Sequence, residues 1–142
     1  MKLNKFTDYS LRVLIYLAMK KDALSTIQEI AHAYQISENH LMKVIHNLSK
    51  LGFIISKRGK GGGILLANTP EKINLGDIIQ KVEGDDPYVK CTDCCIVPHC
   101  QLPSIFEQAL AAFYSMLRQY SLHDVISQPE LLPAQFYPRI TT

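Results

Sequence analysis

The sequence predicts a mainly α-helical fold: a winged helix-turn-helix with a two-stranded wing and a long C-terminal dimerisation helix. The first observation is a pair of short helical segments joined by a tight turn, and the second is a pair of apolar segments flanking a glycine-rich turn. The third is charge. Residues 1–67 hold ten Lys and Arg against four Asp and Glu, whereas residues 68–142 hold five against nine. A basic first half indicates contact with a polyanion.

The first helix is predicted to begin with Thr7 as its N-cap, because Phe6 and Leu11 then stand at the two positions of a hydrophobic staple. It is expected to end near Lys20. Apolar residues at helical spacing should form its buried stripe: Leu11, Leu14, Ile15 and Ala18.

Two further helices form the predicted helix-turn-helix. Ser25 or Thr26 is expected to cap the second helix, since each is followed three residues later by Gln or Glu, the pattern of a capping box. Ser37 suits the N-cap of the third helix and Gly52 suits its C-terminal end.

The outward face of the third helix carries side chains that donate to base edges or phosphates in a major groove. We expect DNA contacts from the following residues of this helix: Ser37, Asn39, His40, Lys43 and Asn47. Every surface helix has a polar face, so the helix alone leaves an ordinary solvated face open.

Two strand-like segments, residues 53–58 and 63–67, flank the glycine-rich turn and predict a β-hairpin wing. Arg58 and Lys60 place positive charge at its tip, for a phosphate backbone or a minor groove. A Walker-type phosphate loop is excluded because no Lys-Ser/Thr pair opens a helix after these glycines. Together with the basic first half, the wing predicts a double-stranded DNA operator as the partner.

The second half of the chain is expected to hold two more helices. Asn74 is predicted to cap a helix from about Leu75 to Val82. A longer helix begins near Ser104, and its apolar residues repeat at steps of three and four, as in a seam between helices. Little else in this half can pack on that seam, so a homodimer contact is favoured over burial within one domain.

The chain is therefore expected to divide into four parts. These are the winged helix-turn-helix at 1–83, a cysteine loop that binds a cluster at 84–103, the dimerisation helix at 104–128 and an irregular, proline-containing tail at 129–142.

All four cysteines lie within ten positions: Cys91, Cys94, Cys95 and Cys100. Disulfides between them would close only short loops and add little stability. Thiolates gathered on one loop are typical of a thiophilic metal site, either zinc or an iron-sulfur cluster ([2Fe-2S] or [4Fe-4S]), and His99 has ligand spacing too. A redox-active thiol pair or simple reduced surface cysteines remain alternatives.

Compartment and chemistry are also limited by the sequence. No apolar run approaches the ~18 residues of a membrane span, and the first residues lack a signal-peptide core. A cytoplasmic protein with reduced thiols and no membrane partner is expected. No Ser-His-Asp pattern and no paired carboxylates in a plausible pocket are present, so the chain is not expected to be an enzyme.

Several motifs together resemble the NsrR family, the nitric-oxide-sensing branch of the iron-sulfur winged-helix repressors that also include IscR. The matching segments are residues 6–12, 37–48, 58–63, 75–78, 96–100 and 120–124, so the resemblance covers residues 1 to about 126. It implies a homodimer that represses genes for nitric oxide detoxification while it holds a cluster. Nitrosylation or loss of the cluster would then release the operator.

The resemblance also implies a set of ligands. In the family, three loop cysteines and an aspartate near the start of the other subunit's first helix bind the cluster. Asp8 matches that aspartate, with Arg12 one turn on to orient it, and the matching loop ligands are Cys91, Cys94 and Cys100.

This sequence departs from the family pattern in its cysteines. Only two residues separate Cys91 from Cys94, fewer than the family spacing, and Cys95 is an extra cysteine. Neighbours in an extended loop point to opposite sides, so Cys94 is the expected ligand and Cys95 is free or a substitute. A zinc-stabilised or thiol-redox-responsive DNA-binding regulator, or an iron-sulfur assembly regulator of the IscR type, stays open.

Overall fold

The computed structural model describes residues 2–126 of the chain, so the expected tail at 129–142 lies outside the described residues. The helices are α1 (Lys5–Met19), α2 (Ile27–Tyr34), α3 (Glu38–Lys50), α4 (Leu75–Glu83) and α5 (Leu102–Leu117). The strands are β1 (Ile54–Lys57) and β2 (Gly63–Leu66), and 3-10 turns lie at Pro70–Lys72, Val97–His99 and Leu122–Val125. The fold class is confirmed as a mainly helical winged helix-turn-helix.

Helix α1 begins earlier than the sequence predicted, because Asn4 and not Thr7 is its N-cap. The Asn4 side chain accepts a hydrogen bond from the Thr7 backbone N–H at 2.8 Å, which places Thr7 inside the first turn with its side chain fully buried. The predicted staple therefore does not form in that frame. Of the predicted stripe, Leu14 is fully buried, and Leu11, Ile15 and Ala18 pack partly buried against the core. The buried residues of α1 are Thr7, Ser10, Val13, Leu14, Tyr16 and Leu17.

Local capping rules place the next two helices. Thr26 caps α2 by accepting from the Glu29 N–H at 3.2 Å, and Ser37 caps α3 as predicted. Ser25 is not the cap, because its backbone is bonded to β2. Gly52 follows α3 with φ +86°, a left-handed conformation that favours glycine. Fully buried apolar side chains of α1, α2 and α3 form the core: Val13, Leu14, Leu17, Ile30, Leu41, Val44 and Leu48.

The wing is an antiparallel pair in which Ile54 faces Leu66 and Lys57 faces Gly63. A bridge to Ser25 fixes the wing to the segment before α2. The Ser25 N–H donates to the Ile64 carbonyl at 3.0 Å, and the Ile64 N–H donates to the Ser25 carbonyl at 2.8 Å. This pair of backbone hydrogen bonds, beside the two-stranded ladder, holds the wing against the helix-turn-helix.

Helices α4 and α5 pack on each other, and the chain after α5 returns to the segment that precedes α4. Helix α4 is capped by Asn74 as predicted, and Ile78 is fully buried. Leu122 is also fully buried, and its N–H donates to the Ile73 carbonyl at 2.8 Å. Helix α5 ends at Leu117, so the expected helix at 104–128 is shorter than the sequence suggested, since this return requires the chain to turn. Nothing in residues 2–126 is a helix of the length and apolar character needed to cross a bilayer.

Candidate DNA interface and metal-binding loop

The outward face of α3 is exposed where the sequence predicted DNA contacts. Asn39, His40 and Lys43 are exposed and Asn47 is half-buried. Ser37 is exposed, but its hydroxyl oxygen accepts from the His40 N–H at 3.2 Å and so caps the helix. The His40 ring meets the Tyr9 ring of α1 edge-on, with centroids 5.4 Å apart. Helix α1 thus supports the start of α3 from one side.

The wing tip presents its cations on a turn that requires glycine. Arg58 and Lys60 are both exposed. Gly59 and Gly61 have φ of +97° and +77°, a region that other residues adopt only at a cost. The turn is tight, and its two cationic side chains lie at the end of the hairpin farthest from the core.

One exposed residue of α3 was missed by reasoning from the sequence. Met42 lies between Asn39 and Lys43, and 55% of its surface is accessible. Only side chains that donate hydrogen bonds were predicted to contact DNA, so an apolar residue on this face was not among them. Its signal was its position outside the stripe of Leu41, Val44, Ile45 and Leu48.

The cysteine loop connects α4 to α5. All four cysteines are free thiols; Cys91 and Cys100 are half-buried, and Cys94 and Cys95 are exposed. Backbone N–H groups close three successive turns: Cys94 N–H bonds the Cys91 carbonyl at 3.3 Å, Val97 N–H the Cys94 carbonyl at 3.4 Å, and Cys100 N–H the Val97 carbonyl at 3.3 Å. Cys91, Cys94 and Cys100 stand at the ends of these turns, and Cys95 does not.

The donor chemistry of this loop fits an iron-sulfur cluster or zinc, because both take thiolate ligands. Between residues 2 and 126, however, no three His, Cys, Asp or Glu side chains are gathered closely enough to hold a metal. The predicted cysteine ligands therefore lie on one loop, and Asp8 lies on α1, but the described residues of a single chain do not converge on one site.

Asp8 and Arg12 are brought together, as expected, on the surface of α1. Arg12 Nε donates to Asp8 Oδ1 at 3.0 Å, and Nη2 donates to Oδ2 at 3.4 Å. This bond to Asp8 raises the pKa of Arg12. The same guanidinium lies 5.7 Å from the centre of the Tyr34 ring, and burial raises the pKa of Tyr34 although Arg12 opposes it. Asp8 is thus oriented by a residue that also contacts the end of α2.

A second contact that the sequence did not indicate joins α1 to the root of the cysteine loop. The Asn4 backbone N–H donates to Glu83 Oε1 and its side-chain amide donates to Oε2, each at 3.0 Å. Glu83 is the last residue of α4, and the loop begins after it. The two residues are 79 positions apart, so no local pattern connects them.

Helix α5 buries little of its apolar surface in the single chain. Tyr114 is its buried residue, packed toward α4, whereas Ile105 is 58% exposed and Met116 is 54% exposed. Phe106 is stacked on Tyr88 of the loop, with ring centroids 6.2 Å apart. An apolar helix face of this kind is typical of a surface that another molecule covers.

Comparisons with known proteins agree with this architecture. Residues 3–128 match the model of the Rrf2 family, described as an iron-dependent transcriptional regulator. The HTH-type transcriptional regulator NsrR of Bacillus subtilis (strain 168) is 46% identical over 136 residues, covering 92% of this chain and 93% of the relative. NsrR of Oceanobacillus iheyensis is 44% identical over 140 residues, covering 94% and 95%.

Solved structures give the same fold. CymR, the global cysteine regulator of B. subtilis, has 28% identity and a TM-score of 0.69, with 88% of this chain and 95% of that chain covered. IscR of T. potens has 25% identity and a TM-score of 0.71, with 97% of each chain covered. All these relatives are regulators and none is named as an enzyme, in agreement with the sequence. The chain belongs to the Rrf2 family of transcriptional regulators, and it is similar over most of its length to NsrR proteins.

Proposed function

We propose that the protein is a dimeric cytoplasmic repressor whose affinity for its operator depends on an iron-sulfur cluster. Nitric oxide lowers that affinity and so releases the operator. The observation that carries the proposal is the pairing of a three-turn cysteine loop with an Arg12-held Asp8 on a chain whose curated relatives are NsrR regulators. Neither half makes a complete metal site within one chain. A site shared between two subunits completes both.

The loop geometry favours Cys91, Cys94 and Cys100 as the ligands. Residues three apart in successive tight turns lie on the same side of the chain, as in a 3-10 helix. The bonded turns run from Cys91 to Cys94, then through Val97 to Cys100. Cys95 is out of this register, so it is a free thiol or a substitute ligand.

The fourth ligand we assign is Asp8 of the partner subunit. Its carboxylate is half-exposed and is already held in place by Arg12. The exposed apolar face of α5 supports the dimer, because apolar side chains such as Ile105 and Met116 gain from being covered by a second copy. Such a dimer also presents two copies of α3 to two operator half-sites about one DNA turn apart.

The chain's own residues then link the cluster site to the DNA-binding elements. Arg12 joins Asp8 to Tyr34 at the end of α2, and Tyr9, next to Asp8, contacts His40 of α3. The Asn4–Glu83 pair ties the start of α1 to the root of the loop. A change in the position of Asp8 therefore alters the contacts that α1 makes with α2 and α3. When bound, the cluster supplies iron at which nitric oxide reacts.

The test is an anaerobic purification followed by iron and sulfide analysis, a visible spectrum and operator titration. We expect stoichiometric iron and sulfide, tight operator binding, and loss of that binding on titration with nitric oxide. Cys100→Ala should lose the iron, whereas the matched variant Cys95→Ala should keep it. A colourless protein holding zinc, or operator binding that nitric oxide leaves unchanged, would contradict the proposal.

A further inference from the structure

Met42 is an apolar side chain on the polar outward face of α3. It is 55% exposed, while the buried stripe of the same helix is formed by Leu41, Val44, Ile45 and Leu48. Leu41, which precedes it in the sequence, is fully buried, as are Val44 and Leu48. Met42 therefore contributes little to the core of the domain, and its exposure has to be explained by something other than packing.

The surroundings of Met42 place it between the two elements that approach DNA. It lines a cleft of about 430 Å³ bounded by the start of α2, the first turns of α3 and the base of the wing. Other side chains of the same cleft are polar or charged: Thr26, Glu38, Ser56 and Lys57. If α3 and the wing bind one duplex, that duplex passes over this cleft, and Met42 then faces the DNA.

The chemistry of Met42 itself favours a base edge over a phosphate, whereas Lys57, on the wing side of the same cleft, suits a phosphate. A thioether and its methyl group do not donate hydrogen bonds, and a phosphate needs donors or cations. Glu38, one helical turn before Met42, adds a carboxylate that repels phosphate. In the major groove, the apolar feature that a side chain of this kind contacts is the C5-methyl group of thymine.

We propose that Met42 is a specificity-determining residue that contacts a thymine methyl group in each operator half-site. This inference rests on the proposed seating of α3 in the major groove, and adds to it the base that α3 selects at one position. Burying one methyl group is worth about a four-fold change in affinity per contact.

The test compares thymine with deoxyuridine, which lacks only the methyl group. Duplexes are first selected from a random pool with the anaerobically purified protein, and each thymine of the selected site is then replaced in turn. We expect one thymine per half-site whose replacement weakens binding by about four-fold. Met42→Gln should bind the two duplexes equally at that position, whereas Met42→Leu should keep the preference.

The ratio of the two affinities is an internal control, because a change in folding or in overall DNA binding alters both duplexes alike. The inference is overturned if Met42→Gln keeps the thymine preference at every position, or if no thymine is distinguished by the parent protein. If the pool yields no preferred site at all, the seating of α3 fails together with this inference. If a preferred site is found but Met42→Gln leaves the ratio of the two affinities unchanged, α3 still lies in the major groove and Met42 does not contact the thymine methyl group.

Discussion

Replacing Gly63 with alanine should detach the wing from the helix-turn-helix. An alanine Cβ at this position would lie 2.6 Å from the Ser25 carbonyl oxygen and 3.2 Å from its carbon. Ordinary contacts to a Cβ are 3.4–4 Å, and the neighbour is backbone, so it has little freedom to move away. The wing has to shift by several tenths of an ångström, which breaks or lengthens the two bonds between Ser25 and Ile64.

Two costs add in this variant. Overpacking of this kind costs about 1–3 kcal/mol, and each weakened backbone hydrogen bond costs about 1 kcal/mol. With both bonds weakened, we expect Gly63→Ala to lower the free energy of unfolding by about 3–5 kcal/mol, a sizeable part of the 5–15 kcal/mol typical of a domain. Because the wing carries Arg58 and Lys60, affinity for non-specific DNA should fall as well.

Urea denaturation measures the stability, and hydrogen exchange measures the Ser25 and Ile64 amides that form the bridge. Gly61→Ala is the matched control: no atom lies within 4 Å of its Cβ, so it bears only the cost of φ +77°, about 1–2 kcal/mol. Exchange should rise at both amides in Gly63→Ala and stay unchanged in Gly61→Ala. Parent-like protection of the Ile64 amide in Gly63→Ala would refute the reasoning.

Lys60→Ala should weaken binding to all DNA sequences and reduce the slope of log affinity against log salt by about one. Lys72 is an exposed lysine in the turn before α4, and Lys72→Ala should leave both the affinity and the slope unchanged. Titrating the affinity against salt concentration measures both quantities. The buried Ser25 Oγ has no hydrogen-bond partner among the described residues. Ser25→Ala should therefore raise the free energy of unfolding, measured by urea denaturation, by up to about 1 kcal/mol. A fall of more than about 1 kcal/mol in the same measurement would contradict this reasoning. The backbone and hydroxyl of Ser121 donate to Asp124 and hold the pKa of that carboxyl below its usual range. Its stabilising effect is therefore fully present above the ordinary pKa of an aspartate and is lost as the pH falls through the lowered pKa. Asp124→Asn should differ from the parent in thermal melts at pH 7, and the difference should shrink progressively as the solution is acidified.

Capping signals are local, and this is why most helix boundaries could be predicted. Ser37 and Asn74 cap α3 and α4 as the sequence indicates, since the bond from each side chain reaches only three residues along the chain. The start of α1 could not be predicted in the same way. Thr7 is a good N-cap by its chemistry, but Asn4 is fixed by Glu83, which lies 79 positions later. A tertiary contact thus decided between two local choices.

Burial on α5 was also beyond the sequence. Its apolar residues predict a seam, yet only Tyr114 is buried in one chain, and the helix stops at Leu117. The stop is fixed by contacts of the following residues, because the Leu75 N–H bonds the Tyr120 carbonyl and the Leu122 N–H bonds the Ile73 carbonyl. Periodicity shows which residues are apolar, and not which molecule covers them.

The candidate metal site shows the same division between identity and geometry. The identity of the donors was readable, because four thiols in ten residues leave few other interpretations. Their arrangement was not, because no local pattern along the chain determines how far apart the four thiols lie in space. What the fold does fix is the frame: Glu83 is held by Asn4 at the start of the loop, and the rings of Tyr88 and Phe106, which precede and follow the cysteines in sequence, stack on each other. If the loop closes on a metal, it has to do so between these anchors, so loosening either of them should weaken metal retention without changing any donor.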